Sequence, residues 1–225
     1  MDDQSQTDAL EWRNRDVPVS RRFDDPYFSL ENGLAETRHT FLAGNDLPTR
    51  FVPGFHIAEL GFGSGLNLLA AWAEWERAGI PGPLHYTGFE AWPMTPAQME
   101  RALTAFAELA HWRERFIGHW DATIHSVTTP VLQARVIIGD ARQTLPGWDG
   151  RADAWFLDGF SPAKNPEIWE ESLLMAVGMH TRPGGTCASY TAAGQVRRRL
   201  QAAGFTVTRT AGFGRKRHMT RGVRP

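Results

Sequence analysis

Short apolar runs alternate with longer mixed segments from residue 56 onward, and several of the runs end on an acid. Brief runs rich in apolar and β-branched residues and bounded by turn residues read as strands. Longer segments with apolar positions three and four apart read as helices. Strands are expected near His56–Leu60, Leu84–Phe89, Ala134–Ile138, Ala154–Leu157 and Thr186–Tyr190. Helices are expected over about Gly65–Ala78, from Thr95 through Trp- and Ala-rich segments to about Phe116, over Pro166–Met179 and over Ala193–Ala203. Thr95-Pro96-Ala97-Gln98 is a helix start, with a hydroxyl N-cap, proline at the first helical position and Gln three residues after the cap. Phe205–Thr210 and His218–Val223 suit an antiparallel closing pair. Strands alternating with helices imply an α/β fold: a mostly parallel, seven-stranded sheet with helices on both faces. Residues 1–55 carry turn signals at Asp24-Asp25-Pro26, Asn32-Gly33, Gly44-Asn45 and Leu47-Pro48. They read as an N-terminal extension packing on a core of residues 56–225, in a single structural domain.

The richest punctuation is Glu59-Leu60-Gly61-Phe62-Gly63-Ser64-Gly65-Leu66-Asn67, between the first expected strand and the first long helix. Glycines there let the backbone take up φ > 0 and approach a ligand closely, and the free N–H groups of the following helix face that ligand. The dinucleotide fingerprint G-x-G-x-x-G fails in both registers, because Leu66 and Leu68 stand where its third glycine belongs. An acid two positions before G-x-G-x-G instead resembles the Rossmann-like class I S-adenosylmethionine methyltransferases, in which this loop passes the methionine part of the cofactor.

Four acids stand at successive strand ends: Glu59, Glu90, Asp140 and Asp158. Ligands of such sheets bind beyond the carboxyl ends of the strands. Glu90, 25 residues after Gly65, is placed to accept hydrogen bonds from ribose hydroxyls. Asp140 is placed to reach an adenine amino group. Asp158 opens an irregular loop, Asp158-Gly159-Phe160-Ser161-Pro162-Ala163-Lys164-Asn165-Pro166-Glu167-Ile168-Trp169, that can seat a methyl acceptor. Its carboxylate can orient an amine and take its proton. Phe160 or Trp169 can stack a base, with core packing as the alternative reading, and Lys164 and Asn165 are candidate acceptor contacts.

Composition changes the picture in two places. The net charge is −1, yet residues 172–225 hold ten basic side chains and no acid, while the remainder carries 14 basic against 25 acidic residues. Such segregation predicts a basic face. All but Lys164 and Lys216 of the 24 basic residues are arginines, which suit bidentate phosphate contacts. Arg197-Arg198-Arg199 and Arg215-Lys216-Arg217 are the candidates for RNA phosphate. The one cysteine, Cys187, excludes an intrachain disulfide and zinc sites built on several thiolates, and the eight histidines show no metal-binding spacing, so no metal is expected. No apolar stretch is long enough for a membrane span, and the polar, acidic N-terminus is unlike a secretory signal, so a cytoplasmic protein is expected. The polar segment holding Asn14, Arg22, Asp24, Asp25 and Tyr27 is either a surface extension or a cover for the site.

DGFSPAKNPEIW (158–169) closely resembles the segment after strand four in the methyltransferase domain of the MnmC family, tRNA 5-methylaminomethyl-2-thiouridine biosynthesis proteins. PVSRRFDDPYFS (18–29), GLAETRHTFLAGNDLPTRF (33–51), ELGFGSGLN (59–67) and GFGRKRHM (212–219) are similar to the same family, so the resemblance spans roughly residues 10–220. It implies transfer of a methyl group from S-adenosylmethionine to the amine of 5-aminomethyl-(2-thio)uridine at the tRNA wobble position. Glu59, Gly61 and Gly63 would then line the methionine side, Glu90 the ribose and Asp140 the adenine, Asp158 would face the acceptor amine, and Gly65 and Asn67 are further cofactor-binding candidates. The tRNA anticodon loop is the implied partner. Bifunctional members of the family continue into an FAD-dependent oxidase that prepares the same amine; no second dinucleotide fingerprint occurs here, so the sequence reads either as a methyltransferase-only member working with a separate oxidase or as one domain of a bifunctional protein. His218 departs from the family, which often has Glu after GRKR. Two other readings stay open: a small-molecule amine methyltransferase or aminopropyltransferase on the same fold, and a non-catalytic RNA-binding protein.

Overall fold

A strand buried on both faces needs apolar side chains at nearly every position, and the runs at 56–60 and 152–157 meet that condition. The computed structural model describes residues 10–13, 16–29 and 32–225; Asn14 therefore lies outside the described residues. In chain order the elements are β1 (Leu10–Arg13), β2 (Val17–Ser20), β3 (Asp25–Pro26) and α1 (Gly33–Thr37), which runs on through a π-helical turn (Arg38–Leu42) and a 3-10 turn (Ala43–Asn45). They continue with β4 (His56–Leu60), α2 (Leu66–Ala78), β5 (Leu84–Glu90), α3 (Pro96–Leu103), α4 (Ala110–His119), β6 (Ser126–Thr129), β7 (Leu132–Ile138) and α5 (Ala141–Thr144). Then come β8 (Ala152–Leu157), α6 (Glu171–Met179), β9 (Thr181–Ser189), α7 (Gly194–Ala202), β10 (Thr206–Ala211) and β11 (His218–Val223).

The main sheet has the order β10-β11-β9-β8-β4-β5-β7-β6. The five strands from β9 to β7 are parallel, and β10, β11 and β6 run antiparallel to their neighbours. Strand order reverses between β4 and its neighbours β8 and β5, which opens a crevice at their carboxyl ends. Side chains of β8 alternate between the two layers. Ala154 and Phe156 join a core with Trp72, Trp75 and Phe116, while Trp155 and Leu157 join one with Trp148, Trp169 and Leu174. Trp72, Trp75, Trp155 and Trp169 are all essentially inaccessible to solvent.

The expected capping box is present: Gln98 N–H donates to Thr95 Oγ1 at 3.3 Å, and Thr95 N–H donates to Gln98 Oε1 at 2.8 Å. Three expectations need correction. The sheet has eight strands, not seven, because β6 forms a hairpin with β7. Its four residues are too few to show a period. The helix expected over Pro166–Met179 is interrupted: a 3-10 turn (Glu167–Trp169) precedes extended Glu170 at ψ 152°, and only then does α6 begin. That break lets Trp169 turn into the core, where its Nε1 donates to Phe160 O at 2.9 Å. The first 55 residues are more than turns. They include the antiparallel sheet β1-β2-β3 and the helical run from Gly33 to Asn45, whose Leu34, Phe41 and Leu42 join the core shared with α2.

Candidate active site

The ends of β4, β5, β7 and β8 open into one cavity of about 490 Å³, within the range of small-molecule sites. Its floor is the glycine loop. Gly61 has φ +76°, and a Cβ there would lie 2.9 Å from Gly159 Cα, so the loops after β4 and β8 touch backbone to backbone. Gly63, at φ +56°, faces the Tyr27 ring, which a Cβ would meet at 3.0 Å. Gly61 and Gly63 line the cavity; Gly65 does not, and instead begins α2 at φ +82°. The loop is held from the next strand: Gly61 N–H donates to Phe89 O at 3.0 Å and Gly63 N–H donates to Glu90 Oε2 at 2.8 Å.

The four strand-end acids take different positions. Glu90 lines the cavity, and its second oxygen accepts from Trp92 N–H at 2.8 Å. Burial pushes its carboxyl above the usual range, and the backbone donors oppose that shift. Asp140 also lines the cavity. It caps α5 by accepting from Arg142 N–H at 2.9 Å, and the Arg142 guanidinium chelates it, with Nη2 to Oδ2 at 2.6 Å. That ion pair holds the Asp140 carboxyl below the ordinary value. Glu59 stands apart from the cofactor-contact role expected for it: it is fully buried and is not part of the cavity wall. Its oxygens accept from Asn67 Nδ2 and from Tyr86 Oη, each at 2.6 Å. Burial, with Asp158 nearby, raises the Glu59 carboxyl strongly.

Glu59 reaches the site through Asn67. The Asn67 amide donates one hydrogen to Glu59 Oε1 and the other to Asp158 Oδ2 at 2.8 Å, and its oxygen accepts from Thr37 Oγ1 at 2.8 Å. Asn67 thereby fixes the rotamer of Asp158, whose other oxygen accepts from Gly159 N–H at 2.9 Å. Burial pushes the Asp158 carboxyl up to about 7. A carboxyl poised near neutral pH in a cleft has the character of a proton acceptor.

The segment around β3 forms the opposite wall. Asp25, Pro26, Tyr27 and Phe28 line the cavity. Ser161 N–H donates to Asp25 Oδ2 at 3.0 Å. Phe160 stacks on Phe23 at 4.7 Å between centroids and meets Tyr27 edge-on at 5.0 Å. Arg22 lies over the Trp92 ring at 4.7 Å. Of the two readings of this polar segment, the covering one matches its position.

Several expected acceptor or RNA contacts are placed otherwise. Trp169 is a core residue, 1% exposed, so it offers no face for a base. Lys164 donates to Asp24 O and lies 3.6 Å from Asp25 Oδ1, tying the loop after β8 to the β2–β3 segment. Lys216 Nζ donates to Glu36 Oε1 at 2.5 Å and sits 4.2 Å from the Tyr190 ring centroid, on the cavity wall. Phe160, Asn165 and Arg215 line the cavity. Arg217 is exposed on the turn between β10 and β11, and Arg197 Nε donates to Ala192 O at 3.3 Å. His218 starts β11 opposite Ala211 and is not on the cavity wall, so the departure from the family pattern falls outside it. Glu36, Thr37 and Tyr190 are cavity residues that the sequence reading did not single out. The AETRHTF segment was the available signal for the first two. Among the described residues no group of three or more His, Cys, Asp or Glu could hold a metal, and no helix is long and apolar enough to cross a membrane.

Residues 107–225 match the sequence profile of a family described as S-adenosyl-L-methionine-dependent methyltransferase. Among solved structures, the chain is similar to MnmC2 from Aquifex aeolicus, with a TM-score of 0.73 and 26% identity, covering 93% of this chain and 68% of that one. A spermidine synthase from Thermotoga maritima matches with a TM-score of 0.57 and 10% identity over 92% of this chain and 64% of that one. A methyltransferase from Pyrococcus furiosus matches with a TM-score of 0.50 and 17% identity over 79% and 78%. The last two likenesses concern the fold.

Proposed function

This chain belongs to the S-adenosyl-L-methionine-dependent methyltransferase family, and from that premise we propose that it methylates the exocyclic amine of 5-aminomethyl-(2-thio)uridine at the tRNA wobble position. The observation that carries the reading is Asp158. Its carboxylate, fixed by Asn67 and Gly159, faces the same cavity as the glycine loop. The likeness to MnmC2 over 93% of the chain supports RNA as the acceptor. So do exposed Arg198 of α7 and the exposed basic residues Arg215, Lys216 and Arg217 of the β10–β11 turn.

The cavity fits the cofactor. Gly61 and Gly63 leave bare backbone where side chains would intrude, and Glu90 and Asp140 stand at successive strand ends to serve a ribose and an adenine. S-adenosylmethionine supplies an electrophilic methyl on a sulfonium sulfur, and the sulfur takes the bond's electron pair on transfer. Phe160, Tyr27 and Phe28 line the cavity with apolar rings beside the glycine loop and Asp158. Asp158 aligns the amine through its N–H groups, so that the lone pair points along the line of attack. It then takes the proton that the new secondary ammonium must lose.

Only the ionised Asp158 can accept that proton. With the carboxyl raised to about 7, kcat/KM is expected to rise with pH, about tenfold per unit below pH 7 and level above it. The stability contribution has the opposite sign. The folded carboxyl titrates above its unfolded value of about 4, so this stabilisation is complete below about pH 4 and lost as pH rises towards 7. A rate profile flat from pH 5 to 9 would remove Asp158 as the base.

Arg215, on the cavity wall, and Arg217 are both exposed on the turn between β10 and β11. Replacing both with Gln is expected to weaken tRNA binding and to lower the slope of log K against log salt by about two. An unchanged slope places the RNA footprint elsewhere. The direct test of the whole reading is transfer of labelled methyl to tRNA from cells lacking the modification, followed by nucleoside analysis. Label on a 5-aminomethyl-type uridine supports it. No transfer, with cofactor still bound, directs the search to small amines.

A further inference from the structure

Lys216 is a half-exposed cation on the cavity wall, held against the acids at that end. Its ammonium donates to Glu36 Oε1 at 2.5 Å and lies over the Tyr190 ring at 4.2 Å. Tyr190 Oη is committed to Gly159 O at 2.8 Å, one residue from Asp158. Glu36 comes from α1, Tyr190 from just beyond β9 and Lys216 from the β10–β11 turn, so three separate elements fix one charge in place. The turn is anchored a second time on the same helical run, where His39 Nε2 contacts Ala211 O at 3.0 Å and the His39 ring lies 5.9 Å from Phe213. The charged and titratable groups facing this point are Glu36 on α1, Asp25 on β3, Asp158 after β8, Tyr190 after β9 and Arg215 on the same turn, with Glu59 of β4 behind Asn67.

We propose that Lys216 is a positioning residue for the transfer, a fixed ammonium that disfavours a second cation at the acceptor end and so holds the acceptor amine neutral and Asp158 ionised. The proposal rests on reading the site as an amine methyltransferase. An amine presents a lone pair only after losing its proton. A like charge on the cavity wall penalises the protonated form and an opposite charge favours the carboxylate; the Lys216 side chain is half exposed, so solvent screens part of that effect. The same ammonium therefore acts in the same direction on both partners of the proton transfer. Burial pushes the Asp158 carboxyl up; the hydrogen bonds from Gly159 and Asn67 and then the Lys216 charge oppose that push, and Glu36 adds to it. Glu36 holds the Lys216 ammonium in place, and the Tyr190 ring supplies a face that suits a cation.

A latch that merely holds the turn against α1 would use the same contacts, and the two roles separate by pH. Lys216→Met keeps the length and removes the charge; Lys216→Arg keeps the charge. The first measurement follows Asp158 by carbon NMR of the carboxyl in the protein alone, its signal assigned by loss in Asp158→Asn. The second is the pH–rate profile of kcat with tRNA carrying 5-aminomethyluridine. In Lys216→Met, the Asp158 titration and the rising limb of kcat are both expected to move up by about one pH unit. In Lys216→Arg, both stay near their wild-type positions. A simple latch would change KM and leave both midpoints in place, and that result overturns the proposal. An equal shift in Lys216→Met and Lys216→Arg overturns it too. If the wild-type protein transfers no methyl to that tRNA, the substrate reading fails, while an unmoved Asp158 titration would still sink the role of Lys216.

Discussion

Asp158→Ala is expected to lower kcat for methyl transfer by about 10²- to 10⁴-fold, with S-adenosylmethionine binding largely kept. The carboxylate stands at the end proposed for the acceptor, whereas the groups proposed for the cofactor, Gly61, Gly63, Glu90 and Asp140, belong to the loop after β4, the end of β5 and the loop after β7. Asn67 loses one of its two acceptors in the variant, but Glu59 Oε1 and Thr37 Oγ1 still fix the amide. The orphaned N–H would cost about 1–3 kcal/mol if it stayed dry. Removing an acid near Glu59 offsets part of that. Single-turnover transfer and calorimetric titration of the cofactor separate the two effects. Transfer at the wild-type rate would remove Asp158 from the chemistry, and loss of cofactor binding in step with the rate would make it a binding residue.

Glu90→Ala is expected to weaken S-adenosylmethionine binding by roughly 10- to 100-fold, the equivalent of one charge-assisted hydrogen bond of about 1.5–3 kcal/mol. The effect has two sources. One is direct, the loss of an acceptor for ribose hydroxyls. The other is the release of the glycine loop, since Glu90 holds Gly63 N–H and Trp92 N–H at 2.8 Å each. Glu90→Gln distinguishes them: it keeps one acceptor oxygen and should recover part of the affinity. An affinity unchanged in Glu90→Ala places the ribose elsewhere.

The sheet was legible because its central strands are buried on both faces. Burial of that kind leaves runs such as Ile57–Leu60 and Ala154–Leu157, which need no partner to be recognised. The acids ending those strands were legible for the same reason, since a strand's last residue fixes the level at which its side chain leaves the sheet. β6 was not legible, being four residues whose strand character comes from pairing with β7. The first 55 residues misled because their apolar positions, Leu34, Phe41 and Leu42 among them, answer to α2 and the sheet rather than to a local period.

Residue roles within the site divide along the same line. Position in a motif determined that Gly61, Gly63, Glu90, Asp140 and Asp158 gather at one end of the sheet, because backbone geometry alone carries them there. Which way a charged side chain turns depends on partners far away in the chain, and only the tertiary structure decided that. Lys216 in a basic run is held on the cavity wall, half exposed, because Glu36, 180 residues earlier, pairs with it there. Trp169 in an exposed-looking loop is buried by the break before α6. Glu59 meets the cavity only through Asn67, since it lies fully buried behind the wall with Tyr86 and Asn67 on its oxygens. Strand ends are set by local sequence; hydrogen-bond partners across long separations are set by packing.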